Sequence, residues 1–471
     1  MRTPAVEGPR VPTRGRLPID MPARRHPTTF VTTAGRILTA ASLIGFGVAL
    51  TAGFEAMVLM LTIAGLVALV TTLRSPAVGL LGVALLCTLD APIRAYVTTP
   101  YDLHYNSFNY VLLTLGVFAA PLVWRRKDLR IELLAAFVCL LTLQLYHSTN
   151  LRLGMHSILE VVASFGLIGC FMRAGVEEET LVWIAIVTST AAACCLIAYY
   201  VSPPERSILV NALVHVPLAG LAAVALAVTQ RVDRRWWLLG VLVTVNIALA
   251  FVTGSRGGFS TSALLALYIL ARSPKFRWKG YIVLLFGIMF VAAAVTWNDA
   301  YTNTVAKWFQ LVDPDRTFSQ ASSSRSDIAE FGWTTFRANP MGIGTGSFTE
   351  ASGDLSTLGR NLAAHSAWIK IMAENGVAGL AVFIAFIAAF ATARPRGSAV
   401  NSALGPLVAV VTSVAFLSSE FQSKSIWLLV SGAIVLLQST RRGATAPAIP
   451  PGGVRHLRSV AVKAPGRRGR P

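Results

Sequence analysis

The chain has 471 residues, of which 54% are hydrophobic and 13% are charged, with a formal net charge of +19. A soluble domain carries about 25% charged residues, so this composition excludes an ordinary soluble protein. Residues 1–36 hold seven arginines and two acids, and residues 441–471 hold seven arginines, one lysine and no acid. Because the excess charge lies in the two tails, it argues against a nucleic-acid partner and for tails that lie near anionic membrane lipids.

We predict one all-α membrane domain over residues 35–440, between disordered basic cytoplasmic tails at residues 1–34 and 441–471. Apolar stretches near the ~20 residues that a helix needs to cross a bilayer recur along this domain. About 12 to 14 transmembrane helices are expected from these stretches. The candidate spans are 35–53, 55–73, 75–90, 107–124, 129–147, 153–172, 179–201, 207–229, 236–253, 258–272, 279–297, 366–391, 399–418 and 425–440.

The basic residues between the spans predict the orientation of the chain, since cytoplasmic loops carry an excess of Lys and Arg. With the N-terminus in the cytoplasm, every basic connecting segment falls on the cytoplasmic side. These segments lie at Arg74, 125–130, 231–235, 272–279 and 394–396. Both termini are then cytoplasmic, and residues 298–365 form one long extracytoplasmic loop. Loops of this length are usually functional or disordered, and the helix signals within this one favour a function.

The turn TGSRGG, residues 253–258, lies at the outer end of one predicted span and opens the next. Glycines allow close backbone approach to a ligand, and Arg256 sets a cation at the membrane surface. An arginine there is costly unless it pairs or reaches the headgroups, which makes it a candidate for function. A tight turn whose arginine contacts headgroups is the simpler alternative.

A short amphipathic helix is predicted over residues 322–338 of the long loop. A capping pattern marks its start, and apolar residues then recur at helical spacing. The helix should end before Asn339-Pro340, because a residue that precedes proline avoids the α conformation. The helix presents Arg325 near its start and Arg337 near its end as candidate functional residues, although an ordinary surface helix with solvated charges would show the same pattern.

Two further candidates follow in the same loop. Gly342, Gly344 and Gly346 alternate within NPMGIGTGSF, residues 339–348, in the outline of a phosphate-binding loop, although a flexible turn would have the same composition. His365 lies where the loop re-enters the membrane and suits proton transfer at the outer face. A lone histidine in such a place is more often structural.

Taken in order, these segments resemble the catalytic region of the O-antigen ligase and polymerase family. That family has a Ser-Arg-Gly turn at an outer helix end, then a long outer loop with an arginine, a short helix and a Pro-x-x-Gly-x-Gly stretch. A histidine motif and a Glu-x-Gly-x-x-Gly helix follow. The matching positions here are Arg256, Arg325, 339–348, His365 and 374–379, within about residues 250–395. Two positions depart from the pattern: Ser366 replaces the usual Asn, and Ile369 replaces the usual Leu.

The resemblance implies a glycosyltransferase of the bacterial cytoplasmic (inner) membrane, with its active site on the extracytoplasmic face. Its donor would be a glycan on a polyprenyl diphosphate such as undecaprenyl diphosphate, and its acceptor a hydroxyl of a glycan, lipid or protein. Arg256 and Arg325 would stabilise the diphosphate, and His365 would act as general base. The catalytic residues are then His365, Arg256 and Arg325, and Arg337, Ser255 and the three glycines bind substrate. We expect inversion at the anomeric carbon, no metal and no cofactor.

Three alternatives stay open at this point. A repeat-unit polymerase shares the architecture and differs in extending another glycan. A transporter or flippase of lipid-linked sugars would show internal repeats and helices broken at the midplane, whereas the polar residues here cluster at one face. A family member that binds the lipid without turnover is compatible with Ser366 in place of Asn.

Overall fold

The computed structural model describes residues 27–93, 107–125, 127–202, 213–229, 235–253, 255–272, 325–353, 364, 366–393, 403–418, 421 and 423–443. Within these residues the chain forms helices and turns and no β-strand, which confirms the predicted all-α class. The helices are α1 Pro27–Ala52, α2 Phe54–Val70, α3 Pro76–Ile93, α4 Ser107–Trp124, α5 Leu129–Leu143, α6 Leu151–Ala174, α7 Glu178–Val201, α8 His215–Val228, α9 Trp236–Val252, α10 Arg256–Arg272, α11 Arg325–Ala338, α12 Phe348–Ala351, α13 Ala367–Ala391, α14 Leu404–Ser418 and α15 Lys424–Gly443. Two short 3-10 helices, Thr71–Leu73 and Gln144–His147, follow α2 and α5.

The predicted spans correspond closely to these helices. Thirteen of the fourteen coincide with a described helix, and the span 279–297 lies outside the described residues. Helix α1 begins at Pro27, before the predicted start of the membrane domain at residue 35. In the described part of the chain, six helices are long and apolar enough to cross a membrane, and six shorter helices are also apolar. The protein is therefore an all-helical, polytopic membrane protein.

Helices α8 and α15 form much of the buried centre of the bundle. Every residue from Val216 to Ala227 of α8 is buried, as is every residue from Lys424 to Gln438 of α15. Small residues let neighbouring helices approach closely: a Cβ on Gly82 of α3 would lie 2.6 Å from the carbonyl oxygen of Gly65 of α2. At the periphery, large apolar side chains on α1, α2 and α4 are exposed, as expected for surfaces that face lipid.

The helix ends gather into two groups at opposite ends of the bundle. The end that carries the sequence motifs, called the motif end below, joins the C-terminal ends of α5 and α14 to the N-terminal ends of α6, α8, α10, α13 and α15. The other, called the charged end, joins α1, α7 and α9 through Glu179. This carboxylate accepts a hydrogen bond from Thr32 at 3.0 Å and pairs with Arg235 at 2.8 Å. The charge pattern of the sequence predicts that the motif end faces outward.

Candidate functional site

The glycine loop, residues 339–348, is packed into the motif end, and its second half is buried. Gly342, Gly344 and Gly346 have φ values of 92°, 99° and 91°, a conformation that costs little only for glycine. Each also lies against the backbone of another element. A Cβ on Gly346, for example, would lie 2.3 Å from the backbone nitrogen of Gly154 in α6. The alternating glycines therefore pack backbone against backbone, and their contact with a substrate phosphate stays a prediction.

Helix α13 holds one side of the glycine loop. The buried Glu374 side chain accepts a hydrogen bond from the backbone N–H of Phe348 at 3.1 Å. The neighbouring Asn375, also buried, donates its side-chain N–H to the Thr345 hydroxyl at 2.8 Å. At Gly376 the helix is interrupted by a residue with a φ of 61°. The segment Glu374–Gly376 thus holds the glycine loop against α13.

The amphipathic helix predicted before the loop is present as α11, Arg325–Ala338, and it ends immediately before Asn339-Pro340 as expected. Its buried face packs on the glycine loop, with the rings of Phe331 and Phe348 5.4 Å apart and edge to face. On its exposed face, the guanidinium of Arg337 lies over the ring of Trp333, 5.4 Å from its centroid. Arg337 is therefore a surface cation at the motif end, and its binding to substrate stays a prediction.

The TGSRGG turn forms the start of α10. Arg256 is the first residue of that helix, and the hydroxyl of Ser255 accepts a hydrogen bond from the N–H of Gly258 at 3.3 Å. Ser255 thereby caps the helix. A Cβ on Gly258 would lie 2.0 Å from Val214, so this turn packs directly against the start of α8.

Two more of the predicted catalytic positions belong to the long loop. Arg325 is the first residue of α11, and His365 lies outside the described residues. Its neighbours Ala364 and Ser366 are both buried. The Ser366 hydroxyl, which stands where the resembled family has an amide, donates to the carbonyl oxygen of Phe416 in α14 at 3.3 Å. This bond ties the start of α13 to the end of α14.

With this geometry established, comparison with known proteins identifies the region. Residues 239–384 match the family model described as O-antigen ligase. This region belongs to the O-antigen ligase family. It runs from α9 through the TGSRGG turn, α11 and the glycine loop into α13. No curated protein shows a significant match to the chain.

The O-antigen ligase region is held in place by helices that lie outside it. The Thr345 hydroxyl donates to the carbonyl oxygen of Leu141 in α5 at 3.0 Å, and the Gln144 side chain donates to the carbonyl oxygen of Met341 at 3.0 Å. Asn150, which caps α6, also donates to a carboxylate oxygen of Glu350 at 2.8 Å. Sequence analysis missed Gln144 and Asn150. The position of Asn150 before an apolar run is a helix-start signal, whereas nothing local marks Gln144.

Further polar side chains lie at the motif end beside the O-antigen ligase region. His215, at the start of α8, lies with its Nδ1 atom 3.1 Å from the hydroxyl of Ser423, just before α15. In α6, His156 pairs with the buried Glu160 at 3.0 Å. Among the described residues, no group of three or more His, Cys, Asp or Glu side chains is arranged to hold a metal ion.

Proposed function

We propose that this protein is an O-antigen ligase-like glycosyltransferase that moves a glycan from a polyprenyl-diphosphate donor to an acceptor hydroxyl at the extracytoplasmic face of the bacterial cytoplasmic membrane. The observation that carries this proposal is the joining of the family's segments at one end of a membrane helix bundle. Glu374 and Asn375 bind the glycine loop there through Phe348 and Thr345. A site at a helix end lies at the level where a lipid diphosphate meets water.

In the proposed reaction the acceptor oxygen attacks the anomeric carbon of the donor sugar. The bond from that carbon to the diphosphate oxygen breaks, and its electron pair remains on the departing lipid diphosphate. His365 takes the proton of the acceptor hydroxyl. Arg256 and Arg325 balance the negative charge that develops on the diphosphate, and this electrostatic role requires neither a metal ion nor a cofactor. A single displacement of this kind inverts the anomeric configuration.

The remaining predicted residues bind substrate in this proposal. We assign Arg337, on the exposed face of α11, to contact with an acidic or phosphorylated part of the donor or acceptor. Ser255 and the glycine loop set the shape of the site. The glycines of this loop lie against α13, the 3-10 helix Gln144–His147 and α6. Rigid support from neighbouring elements is what a site needs in order to hold reacting groups in a productive geometry.

The experiment that tests the proposal is glycan transfer by the purified protein in lipid nanodiscs, with EDTA present and a polyprenyl-diphosphate glycan as donor. Lipid, protein and glycan acceptors are offered separately, so the product also separates ligase from polymerase activity. His365→Ala and Arg256→Ala should each lower transfer by about 100-fold or more. His147→Ala and Arg152→Ala are the matched controls, because both side chains are exposed near the same end of the bundle, and transfer should stay within about twofold of wild type.

Two outcomes would contradict the proposal. Absence of transfer to every acceptor, also after addition of Mn²⁺, would favour a transporter or a non-catalytic lipid-binding protein. A product with retained anomeric configuration would exclude the single displacement and leave the transferase assignment intact.

A further inference from the structure

The imidazole of His215 lies where helices α8 and α15 meet at the motif end. Its Nδ1 atom is 3.1 Å from the hydroxyl of Ser423, and its backbone carbonyl accepts a hydrogen bond from the Ser425 hydroxyl at 2.6 Å. Both serines are buried, whereas the His215 side chain is only half-buried. The Ser423 contact therefore fixes one side of the ring, and part of the ring remains accessible.

This histidine is next to the turn that we propose binds the donor diphosphate. Val214, the residue before it, contacts Gly258, the third residue of α10, so closely that a Cβ there would lie 2.0 Å from the valine side chain. Arg256 is the first residue of that helix. The start of α8 and the start of α10 thus form one surface at the motif end.

Two charged side chains in this part of the bundle are buried, Lys424 and Asp90. Lys424, the first residue of α15, is 2% exposed, and both it and Asp90 of α3 lie within electrostatic range of Cys87. A buried charge is costly unless an opposite charge is near. We therefore assign the buried Lys424 and Asp90 to the support of the bundle, whereas the side chain of His215 is exposed enough to reach a ligand.

We propose that His215 is a further donor-binding residue, whose Nε2–H donates a hydrogen bond to a phosphate oxygen of the polyprenyl diphosphate. The inference rests on the proposed function. Ser423 is a positioning residue: a hydroxyl that donates to Nδ1 places the proton of a neutral imidazole on Nε2. No proton is transferred in this role. The acceptor proton still goes to His365, and His215 stabilises the departing diphosphate.

The test measures two quantities on the purified, full-length protein: the Kd for undecaprenyl diphosphate, and the KM of donor and acceptor in the transfer assay. His215→Ala should raise the Kd and the donor KM by roughly 10- to 100-fold, because that is the loss of affinity expected when a hydrogen bond to a charged group is removed. The acceptor KM should not change. His215→Gln carries an amide N–H near the position of Nε2 and should restore most of the affinity. Ser423→Ala should have an intermediate effect, because the ring remains but loses its fixed tautomer.

Ser425→Ala is the matched control. It removes a hydrogen bond between the same two helices at the same depth but leaves the imidazole ring and its Ser423 contact unchanged. Its Kd should stay within about twofold of wild type. Equal losses in Ser425→Ala and His215→Ala, or a His215→Gln protein as weak as His215→Ala, would overturn the inference. Wild-type protein that binds undecaprenyl diphosphate but transfers no glycan would instead contradict the proposed function, and the binding series would still decide the role of His215.

Discussion

The two ends of the helix bundle are held together by different kinds of contact. At the charged end, Asp128 pairs with Arg130 at 2.7 Å, two residues along the chain, and Glu179 pairs with Arg235 at 2.8 Å. At the motif end, amides, hydroxyls and glycine backbone join segments about 200 residues apart, as in the hydrogen bond from Thr345 to the carbonyl oxygen of Leu141.

This difference follows from what each end has to do. Ion pairs and basic residues at a helix end need only neutralise one another or reach the lipid headgroups, so they tolerate small shifts. A site that positions a lipid diphosphate, an acceptor and a base needs its segments placed far more accurately. Direct backbone packing achieves that accuracy, and it makes the motif end sensitive to single methyl groups.

The largest expected effect comes from adding one methyl group at the motif end. Gly346→Ala should destabilise the protein by more than about 4 kcal/mol, because it combines an unfavourable φ with a clash against backbone that has no room to move. Gly346 has a φ of 91°, and its Cβ would lie 2.3 Å from the Gly154 nitrogen. The measurement is the midpoint of thermal unfolding in detergent, together with the yield of monodisperse protein.

Gly175→Ala at the charged end is the control for the backbone conformation alone. Gly175 has a φ of 70°, and nothing lies within 4 Å of its Cβ position. We expect a loss of about 1 kcal/mol there. If both variants lose the same amount, close packing is not what distinguishes the motif end.

An intermediate effect is expected at the charged end from Asp128→Asn, which leaves the buried Arg130 without its charged partner and should cost roughly 3 kcal/mol at pH 7. Burial acts to raise the pKa of Asp128, but hydrogen bonds and charge from Arg130 outweigh it and hold the pKa below its ordinary value of 3.8. Because the folded-state pKa is the lower one, the stabilisation is complete above the unfolded-state pKa and is lost as pH falls through the folded-state pKa.

The unfolding midpoints of wild type and Asp128→Asn should therefore converge as the pH is lowered below 3.8. Glu178→Gln, which changes an exposed carboxylate at the same end, should show no comparable difference at pH 7. A gap between Asp128→Asn and wild type that is constant from pH 7 to pH 3 would show that the charge of Asp128 does not stabilise this end.

A smaller effect on stability than that of Asp128→Asn is expected where Glu374 holds the glycine loop. Glu374→Ala removes the acceptor of the Phe348 N–H and should cost about 2 kcal/mol, since a buried donor loses its partner. Transfer should fall by about tenfold or more, because the glycine loop loses its fixed position. Glu374→Gln keeps an acceptor oxygen and should retain most of the stability. If Glu374→Ala transferred glycan at the wild-type rate, activity would not depend on this contact between Glu374 and the glycine loop.

The sequence by itself determined the helical membrane architecture and the family of its third quarter. Apolar length defines a spanning helix locally, so thirteen of the fourteen predicted spans coincide with described helices. Proline at position 340 was enough to predict the end of α11. The order of the short motifs was enough to predict the family that the match over residues 239–384 confirms.

Only the tertiary structure decided how these segments meet. Nothing near Gln144 in the sequence indicates that it binds the backbone of Met341, and nothing near His215 indicates a contact with Ser423. The glycines at 342, 344 and 346 fit a phosphate loop by composition, yet their backbone lies against α13, the 3-10 helix Gln144–His147 and α6. Helical periodicity records which face of a helix is apolar, whereas contacts between residues 200 positions apart depend on how the helices pack.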